Sequence, residues 1–336
     1  MKAAVLNGIH EAFQLQDFDK PIIGEDEVLI ALQHAALNHR DVWIQKGQYA
    51  GLVFPIICGS DGCGIVQEIG KNVSDFWLGK EVVINPSLNW GTNPKTQAKD
   101  YEILGLPHHG TFAQYVKVPA RLLHEKPAHL KSEEAAAFPL AGLTAYRALM
   151  GRAKAEAGEN VLITGIGGGV ALMAAQFALA AGCQVYVNSG SQEKLDQAIA
   201  MGAKGGANYK TADWHKQLAK KTGGFDVIVD GAGGPDFAKL IDLCKPGGRI
   251  AVYGATAGVW NPGVPAKVFW KQIDILGSTM GTDEEFAQMV AFINAKQLVP
   301  KVAQVFGLNQ CEEAARFMDE SKQFGKIVLE INQLWY

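Results

Sequence analysis

A glycine-rich segment in the middle of the chain constrains the fold more than any other feature. It reads VLITGIGGGVALMAAQFALAAG and has Gly165, Gly167, Gly168 and Gly169 between an apolar strand and a helix. A tight turn without Cβ atoms lets the backbone approach a diphosphate, and the following helix offers free N–H groups and its positive dipole end. We therefore predict dinucleotide binding at Gly165, Gly168, Gly169 and Val170; the alternative is a turn that binds nothing.

The rest of the chain divides into three regions with different patterns of apolar residues. Residues 1–123 contain short apolar or alternating runs bounded by Gly, Pro and Asp, which is typical of a β-rich domain. In residues 124–281, apolar strand-like runs alternate with helical segments, which predicts an α/β domain with a doubly wound parallel sheet. Residues 282–336 end in a strand-like run, KIVLEI, and we expect this tail to return to the first domain.

The composition of the chain limits the kinds of partner that it can bind and the cellular compartment that suits it. The 31 basic and 34 acidic residues are well mixed and give a net charge of −3, which argues against a nucleic-acid or membrane-surface partner. No run of about 18 uncharged apolar residues occurs, so no transmembrane helix is expected. The five scattered cysteines form no CxxC pair, which favours reduced thiols in a cytoplasmic protein.

In a dinucleotide-binding α/β domain, the segment after the second strand determines whether NAD or NADP is bound. An NAD-specific site usually has an acidic residue there to hold the ribose 2′-hydroxyl, and this chain has Ser189. Ser189, Ser191 and Lys194 in one short loop favour a 2′-phosphate and hence NADP(H), with Tyr209 and Lys210 as further walls. The alternative is that Lys194 belongs to an ordinary solvated helix start and neither form is strongly selected.

Further motifs complete a resemblance to a known family. They are LNHRDVW, CGSDGCGIV, FPLAGLTAYRAL, CKPGGRIAVYG and GKIVLEI. With the glycine-rich unit, they make the whole chain resemble the medium-chain dehydrogenases/reductases, nearest to the zinc-independent, quinone-oxidoreductase-like branch. The resemblance implies a GroES-like catalytic domain from residues 1–123 and 282–336 and a Rossmann dinucleotide-binding domain from residues 124–281. It also implies a homodimer formed through the edge strand at residues 273–279.

The same resemblance allows the metal positions of zinc-dependent members to be checked. Asn38, Ser60 and Leu140 stand at the three catalytic ligand positions, and an amide, a hydroxyl or a leucine side chain is not a usual zinc ligand. The loop at residues 86–109 contains no cysteine, whereas a structural zinc in this loop needs four. We therefore expect no bound metal.

The resemblance also assigns the residues of the active cleft. Asn38 is expected to donate its amide to the substrate carbonyl or to support the nicotinamide, and Tyr49 to supply a hydroxyl or a stacking face. Asp41 either orients its neighbours or caps a short helix over VWIQKG. Arg40 pairs either with a cofactor phosphate or with Asp61.

For the cofactor, the resemblance adds positions in the later part of the chain. Thr144 matches the residue that contacts the nicotinamide end, and Met280 is expected to border the ring. Tyr253 and Gly254 follow a strand at the edge of the sheet where doubly wound folds bind ligands. Lys326 resembles the tail residue that reaches back to the cofactor, the alternative being an ordinary surface lysine.

A site without a metal suits a particular class of substrate. Hydride addition to a quinone or enone spreads the new negative charge into a conjugated anion, whereas a simple ketone concentrates it on one oxygen and gains more from zinc. The sequence therefore predicts an NADPH-dependent reductase of quinones, enones or similar activated carbonyls. Two alternatives stay open: an alcohol or aldehyde dehydrogenase that uses NAD(P), and a dinucleotide-binding protein with little catalysis.

Overall fold

The chain folds into two compact units. The computed structural model describes residues 1–260 and 265–331. The first unit consists of residues 1–141 together with the tail from residue 281 onwards, and the second consists of residues 142–280. Residues 124–141, which we assigned from sequence to the second domain, thus belong to the first unit. The reason is packing, because Ala135 and Ala136 are fully buried in a helix that contacts the strands of the first unit.

The helices and strands follow one another in three stretches of chain. The first stretch forms β1 (Lys2–Leu6), β2 (Gln14–Asp17), β3 (Glu27–Ala36), α1 (His39–Gln45), β4 (Ile56–Ile57), β5 (Asp61–Ile69), β6 (Glu81–Ile84), β7 (Ser87–Leu88), β8 (Glu102–Ile103), β9 (Tyr115–Pro119), β10 (Leu123–Glu125), α2 (Ser132–Ala136) and α3 (Pro139–Tyr146). The second stretch forms β11 (Asn160–Ile163), α4 (Gly169–Ala180), β12 (Gln184–Ser189), α5 (Gln192–Ala200), β13 (Gly205–Asn208), α6 (Trp214–Thr222), β14 (Phe225–Asp230), α7 (Phe237–Leu243), β15 (Cys244–Val252), α8 (Pro265–Lys271) and β16 (Asp274–Gly277). The tail forms α9 (Asp283–Lys296), β17 (Val302–Gly307), α10 (Cys311–Asp319) and β18 (Lys326–Glu330). Within the described residues, every helix is too short or too polar to cross a bilayer.

A β-rich core holds the first unit together. Its largest sheet has the strand order β10-β6-β5-β3-β18-β17, and β9 pairs with the first half of β3. The central strand β3 reads EVLIALQHAA, and its apolar residues are almost all buried, as expected for a strand with neighbours on both sides. The tail strand β18 runs antiparallel to β3, with Val328 opposite Ala36. The predicted return of the tail to the first domain is therefore observed.

A parallel sheet forms the centre of the second unit. Six strands of its described residues lie in the order β13-β12-β11-β14-β15-β16, and every neighbouring pair is parallel. Their apolar sequences, such as NVLI in β11, suit strands that are covered by helices on both faces. Successive strands are added towards one edge of the sheet from β11 to β13 and towards the other edge from β14 to β16. Doubly wound sheets bind ligands at the carboxyl ends of the strands where this order reverses. The predicted α/β fold class is confirmed.

Two local elements differ from the sequence-based expectation. The helical segment that follows Ser132 is divided into α2 and α3, because Pro139 lacks a backbone N–H and instead begins the new helix α3. A π-helix at Arg147–Arg152 continues from α3. The strand β17 was not predicted from the sequence, because its short segment VAQVFG has a mixed pattern of exposed and buried residues.

Candidate functional site

The glycine-rich turn connects β11 to α4 in the second unit. Gly165 and Gly167 have φ values of +65° and +131°, which residues with a side chain rarely adopt. Asn188 of β12 fixes the turn, because its Oδ1 accepts the Gly165 N–H at 2.7 Å and its carbonyl oxygen accepts the Ile166 N–H at 2.9 Å. Gly168 is the N-cap residue of α4, so the helix begins directly after the turn.

The glycine-rich turn and the first residue before α4 leave room beside their backbone. A Cβ added at Gly165 or Gly168 would meet no atom within 4 Å beyond its immediate chain neighbours, so the backbone borders open space here. The first N–H groups of a helix have no partner inside the helix and carry the positive end of its dipole. Gly168 is the N-cap residue and Gly169 and Val170 begin α4, and their predicted contact with a diphosphate stays a prediction.

The predicted 2′-phosphate residues converge at the end of β12. This strand ends at Ser189, whose Oγ accepts the Ser191 N–H at 3.1 Å, and Ser191 is the N-cap residue of α5. The side chains of Tyr209 and Lys210 overlie Gly190. A Cβ added at Gly190 would lie 2.7 Å from the Tyr209 hydroxyl oxygen and 2.8 Å from Lys210 Cε.

Lys194 links this group to the glycine-rich turn. A Cβ added at Gly167 would lie 2.9 Å from Lys194 Cδ and 3.3 Å from its Nζ. Burial lowers the pKa of the Lys194 ammonium, and the neighbouring Glu193 acts in the opposite direction. The stem of the lysine thus packs on the glycine-rich turn, although the residue also belongs to the partly exposed first turn of α5, and its contact with a 2′-phosphate stays a prediction.

The other predicted cofactor residues of the second unit lie in two places. The Thr144 hydroxyl in α3 donates to Met280 Sδ at 3.6 Å, and Met280 has a left-handed φ of +39°. Tyr253 and Gly254 follow the end of β15 and lie against Gly231, where an added Cβ would be 2.4 Å from the Tyr253 hydroxyl oxygen. Burial raises the pKa of the Tyr253 phenol, so it is a neutral group at physiological pH.

In the first unit, Asn38 and Asp41 form the start of α1. Asn38 is the N-cap residue, and its backbone N–H donates to Asp41 Oδ2 at 2.7 Å. The Gly59 N–H donates to Asp41 Oδ1 at 3.2 Å. Burial raises the pKa of Asp41 to about 6, although Arg40 and these two N–H groups act to lower it. Asp41 is therefore the third residue of α1 and not the cap of a helix over VWIQKG, so that alternative is wrong; its carboxylate instead orients the backbone of Asn38 and Gly59.

A buried ion pair lies next to the Asn38 side chain. Lys326 Nζ is 2.9 Å from Asp61 Oδ2, and the two side chains are 5% and 0% exposed. The ammonium also donates to Asn38 Oδ1 and to the Leu37 carbonyl oxygen, each at 2.7 Å. Asp61 accepts the Asn38 amide at 2.9 Å and the Leu140 N–H at 2.7 Å. Lys326 is thus no surface lysine, and its predicted contact with the cofactor stays a prediction.

Arg40 and Tyr49 form a second group in the first unit. Arg40 Nη1 donates to Ser60 Oγ and to the Leu104 carbonyl oxygen, both at 2.7 Å. Its Nε lies 3.4 Å from the Tyr49 hydroxyl, and its guanidinium carbon lies 5.1 Å from the centre of the Tyr49 ring. The structure therefore pairs Arg40 with these groups rather than with Asp61, and the arginine holds Tyr49 in place.

Comparison with known proteins identifies the family. A family model described as an alcohol dehydrogenase GroES-like domain matches residues 24–128, and one described as a zinc-binding dehydrogenase matches residues 169–295. A zinc-type alcohol dehydrogenase-like protein of Leptosphaeria maculans is 38% identical, covering 96% of this chain and 96% of its own. The chain belongs to the medium-chain dehydrogenase/reductase superfamily.

Other members of the superfamily are similar over the whole chain. Human quinone oxidoreductase is 27% identical and covers 93% of this chain and 92% of its own. A solved structure of an NAD-dependent alcohol dehydrogenase is 38% identical, with a TM-score of 0.93 over 99% of this chain and 100% of its own. This superfamily member is therefore an oxidoreductase with a GroES-like domain and a Rossmann domain, and its family implies a nicotinamide dinucleotide as cofactor.

The zinc ion named in one family model does not fit the residues of this superfamily member. Leu140 has no side-chain atom that can bind a metal ion, and Ser60 Oγ accepts a hydrogen bond from Arg40 Nη1. The Asn38 amide oxygen faces the ammonium of Lys326, which brings a positive charge to a place where a zinc site needs anionic or neutral donors. Residues 1–260 and 265–331 contain no group of three or more His, Cys, Asp or Glu side chains arranged to hold a metal ion.

The buried ion pair between Lys326 and Asp61 is the main feature that the sequence did not predict. The two residues are 265 positions apart in the chain, so no local pattern joins them. One signal was nevertheless present, because Lys326 begins the apolar strand KIVLE, and a charged group in such a strand requires a buried partner.

Proposed function

We propose that this oxidoreductase uses NADPH to reduce quinones, enones or similarly activated carbonyl compounds without a metal ion. The observation that carries this proposal is the buried cluster of Asn38, Asp61 and Lys326, which presents an amide in place of a metal site. The bound dinucleotide supplies the hydride. The residues of the chain bind and orient the substrate and stabilise the negative charge that develops on its oxygen.

An amide donor suits a conjugated acceptor better than an isolated carbonyl group. In an enone or a quinone, the charge delivered by the hydride spreads over a conjugated anion, so a hydrogen bond from Asn38 is sufficient to stabilise the oxygen. A simple ketone collects the whole charge on one alkoxide oxygen, for which a metal ion is the more effective stabiliser. The substrate class follows from this difference.

Three residues of the first unit have separate roles in the proposed reaction. Asn38 donates its amide to the substrate oxygen, and Asp41 holds the Asn38 backbone N–H at 2.7 Å. Tyr49, which Arg40 holds through its hydroxyl and its ring, supplies a second donor or a stacking face for a planar substrate. Solvent supplies the proton that completes the reduction.

The end of β12 supports NADPH rather than NADH. Ser189 stands where NAD-specific sites have an acidic residue, so the residue at this position carries no negative charge that would repel a dianionic 2′-phosphate. The Lys194 ammonium lies beside Gly167, and the Lys210 side chain lies beside Gly190. Charge-assisted hydrogen bonds from such groups are the usual means of holding a phosphate.

Steady-state assays test the proposed function. Purified protein is mixed with NADPH and a panel of quinones, enals and simple ketones, before and after dialysis against a strong chelator. We expect NADPH oxidation with quinones or enals, much less with ketones, and no loss of rate after dialysis. Absence of NADPH binding, or activity that disappears with the chelator, would contradict the proposal.

An alcohol or aldehyde dehydrogenase is the second candidate. It is favoured by the 38% identity with a solved NAD-dependent alcohol dehydrogenase. Elemental analysis with close to one zinc ion per chain, together with oxidation of alcohols by NAD, would support this candidate. The donor set around Asn38 argues against it.

We also propose that the protein is a cytoplasmic homodimer that acts on small molecules. Strand β16 is the last strand of the described parallel sheet, and Ile275 on it is 37% exposed. Pairing with the same strand of a second copy would give hydrogen-bond partners to the backbone groups at this edge of the sheet. The five cysteines are free and buried, which supports a reducing compartment.

A further inference from the structure

The side chain of Asn38 is held at both ends of its amide. Oδ1 accepts a hydrogen bond from Lys326 Nζ at 2.7 Å, and Nδ2 donates to Asp61 Oδ2 at 2.9 Å. A flipped amide would bring Nδ2 against the ammonium and Oδ1 against the carboxylate, so this network sets the direction of the amide. An amide nitrogen carries two hydrogens, and the second one on Asn38 has no partner within the described part of the chain. The residue is 8% exposed.

Lys326 itself does not reach a substrate. Its three ammonium hydrogens are taken by the Leu37 carbonyl oxygen, Asn38 Oδ1 and Asp61 Oδ2, and its side chain is 5% exposed. Any effect on a reaction must therefore pass through a neighbour. Of its three partners, Asn38 is the one with a remaining donor. An ammonium bonded to an amide oxygen draws electron density from the amide nitrogen, so its N–H becomes a stronger donor.

We propose that Lys326 is a positioning residue that replaces a metal cation by polarising the Asn38 amide, whose remaining Nδ2–H binds the substrate oxygen. This inference rests on the proposed function, because it identifies the source of the charge stabilisation required there. When hydride adds to the conjugated carbon, the π electrons move towards the carbonyl oxygen, and the polarised N–H stabilises the resulting enolate or hydroquinone anion. A solvent proton then completes the addition, and NADPH leaves as NADP⁺.

Asp61 makes it possible to keep the ammonium in the interior. A buried ammonium without a counter-charge is strongly destabilising, and the carboxylate at 2.9 Å provides that charge. Because the pair is neutral overall, it can be exchanged for two neutral side chains without leaving an unpaired buried charge. In the double variant Lys326→Met/Asp61→Asn, Met keeps the length of the stem and Asn keeps an acceptor for the Leu140 N–H.

A chromophoric aldehyde measures the polarisation directly. The absorption of 4-(dimethylamino)cinnamaldehyde moves to longer wavelength when its carbonyl oxygen receives a strong hydrogen bond, and NADP⁺ allows a complex that does not turn over. We expect the wild type to shift the absorption and Lys326→Met/Asp61→Asn to lose at least half of that shift. With an enal and NADPH, kcat of the double variant should fall about tenfold or more, while KM for NADPH stays within about twofold.

A matched control uses an exposed ion pair of the same unit. Lys2 and Asp17 are 2.9 Å apart with side chains 45% and 83% exposed, and Lys2→Met/Asp17→Asn contains the same two substitutions. This control should keep the full absorption shift and kcat. Lys326→Gln/Asp61→Asn provides a second test, because Gln offers a donor to Asn38 without the charge and the paired substitution leaves no unpaired carboxylate. This variant should also lose most of the shift.

The outcomes separate this inference from the proposed function. A full absorption shift with unchanged kcat in either folded variant, as judged by thermal unfolding and NADPH binding, would overturn the role of Lys326 and leave the proposed function intact. Failure of the wild type to reduce any quinone or enal would instead reject the proposed function. In that case, loss of the shift in the variants would still show that the lysine polarises the amide.

Discussion

Replacement of Lys194 with alanine should separate the affinities for NADPH and NADH. The lysine stem packs on Gly167 of the phosphate turn, and the residue belongs to the first turn of α5. If its ammonium pairs with the 2′-phosphate, the substitution removes a charge-assisted contact from NADPH only, because NADH has a hydroxyl at this position. Loss of packing on the turn affects both dinucleotides equally, so the NADH affinity measures that part of the effect.

The expected loss of NADPH affinity in Lys194→Ala follows from the exposure of the lysine. A hydrogen bond to a charged group contributes about 1.5–3 kcal/mol. Lys194 is only partly buried, and solvent screening therefore favours the lower end of this range. We expect the Kd for NADPH to rise about tenfold, which corresponds to about 1.4 kcal/mol, and the Kd for NADH to change by less than about threefold.

Fluorescence titration with each dinucleotide at low and at high salt measures both constants. The difference between the two cofactors should shrink at high ionic strength, because a partly exposed charge contact is screened. Lys204→Ala, at an exposed lysine of the same unit, is the control and should change neither constant. Equal losses of NADPH and NADH affinity in Lys194→Ala would refute the reasoning and show that the 2′-phosphate is not read here.

Three further predictions concern other parts of the molecule. Burial raises the pKa of Asp41 to about 6, from 3.8. The free energy of unfolding of the wild type should therefore fall by about 3 kcal/mol relative to that of Asp41→Asn as the pH rises from about 4 to 7. Urea unfolding measures this difference, and a difference that stays constant with pH would contradict the prediction. Gly167→Ala should weaken both dinucleotides more than about tenfold in calorimetric titration, because φ is +131° there. Ile275→Lys should convert the proposed dimer to a monomer in light scattering, and a dimeric mass that the substitution left unchanged would exclude this edge.

The second unit was predictable because its signals are local. The apolar strands, the helical periods and the glycine-rich turn follow one another within a unit of about 30 residues. Most strands pair with the strand before them in the sequence, the exception being β14, which pairs with β11. The bond from Gly165 N–H to Asn188 Oδ1 was not predictable in this way. It depends on the register of β12 against β11, in which Val187 lies opposite Ile163.

The first unit was predictable only in outline because its contacts are distant in sequence. The pairing of Ala36 with Val328 and the bond from Lys326 to Asp61 join segments at opposite ends of the chain. Sequence reasoning named Asn38 as a donor and Lys326 as a residue that returns from the tail. It did not join the two, since nothing in either motif specifies the bond between them.

The ion pair of Lys326 and Asp61 requires an explanation other than stability. Removing two charges from water costs several kcal/mol per ion, and apolar side chains of similar volume often stabilise a protein as well as a buried pair or better. An apolar pair does not set the direction of the Asn38 amide, whereas the ammonium and the carboxylate do so at 2.7 and 2.9 Å. We therefore expect Lys326→Met/Asp61→Asn to unfold in urea at no lower concentration than the wild type and yet to reduce enals more slowly. A variant that lost stability and activity in parallel would show that the pair serves the fold alone.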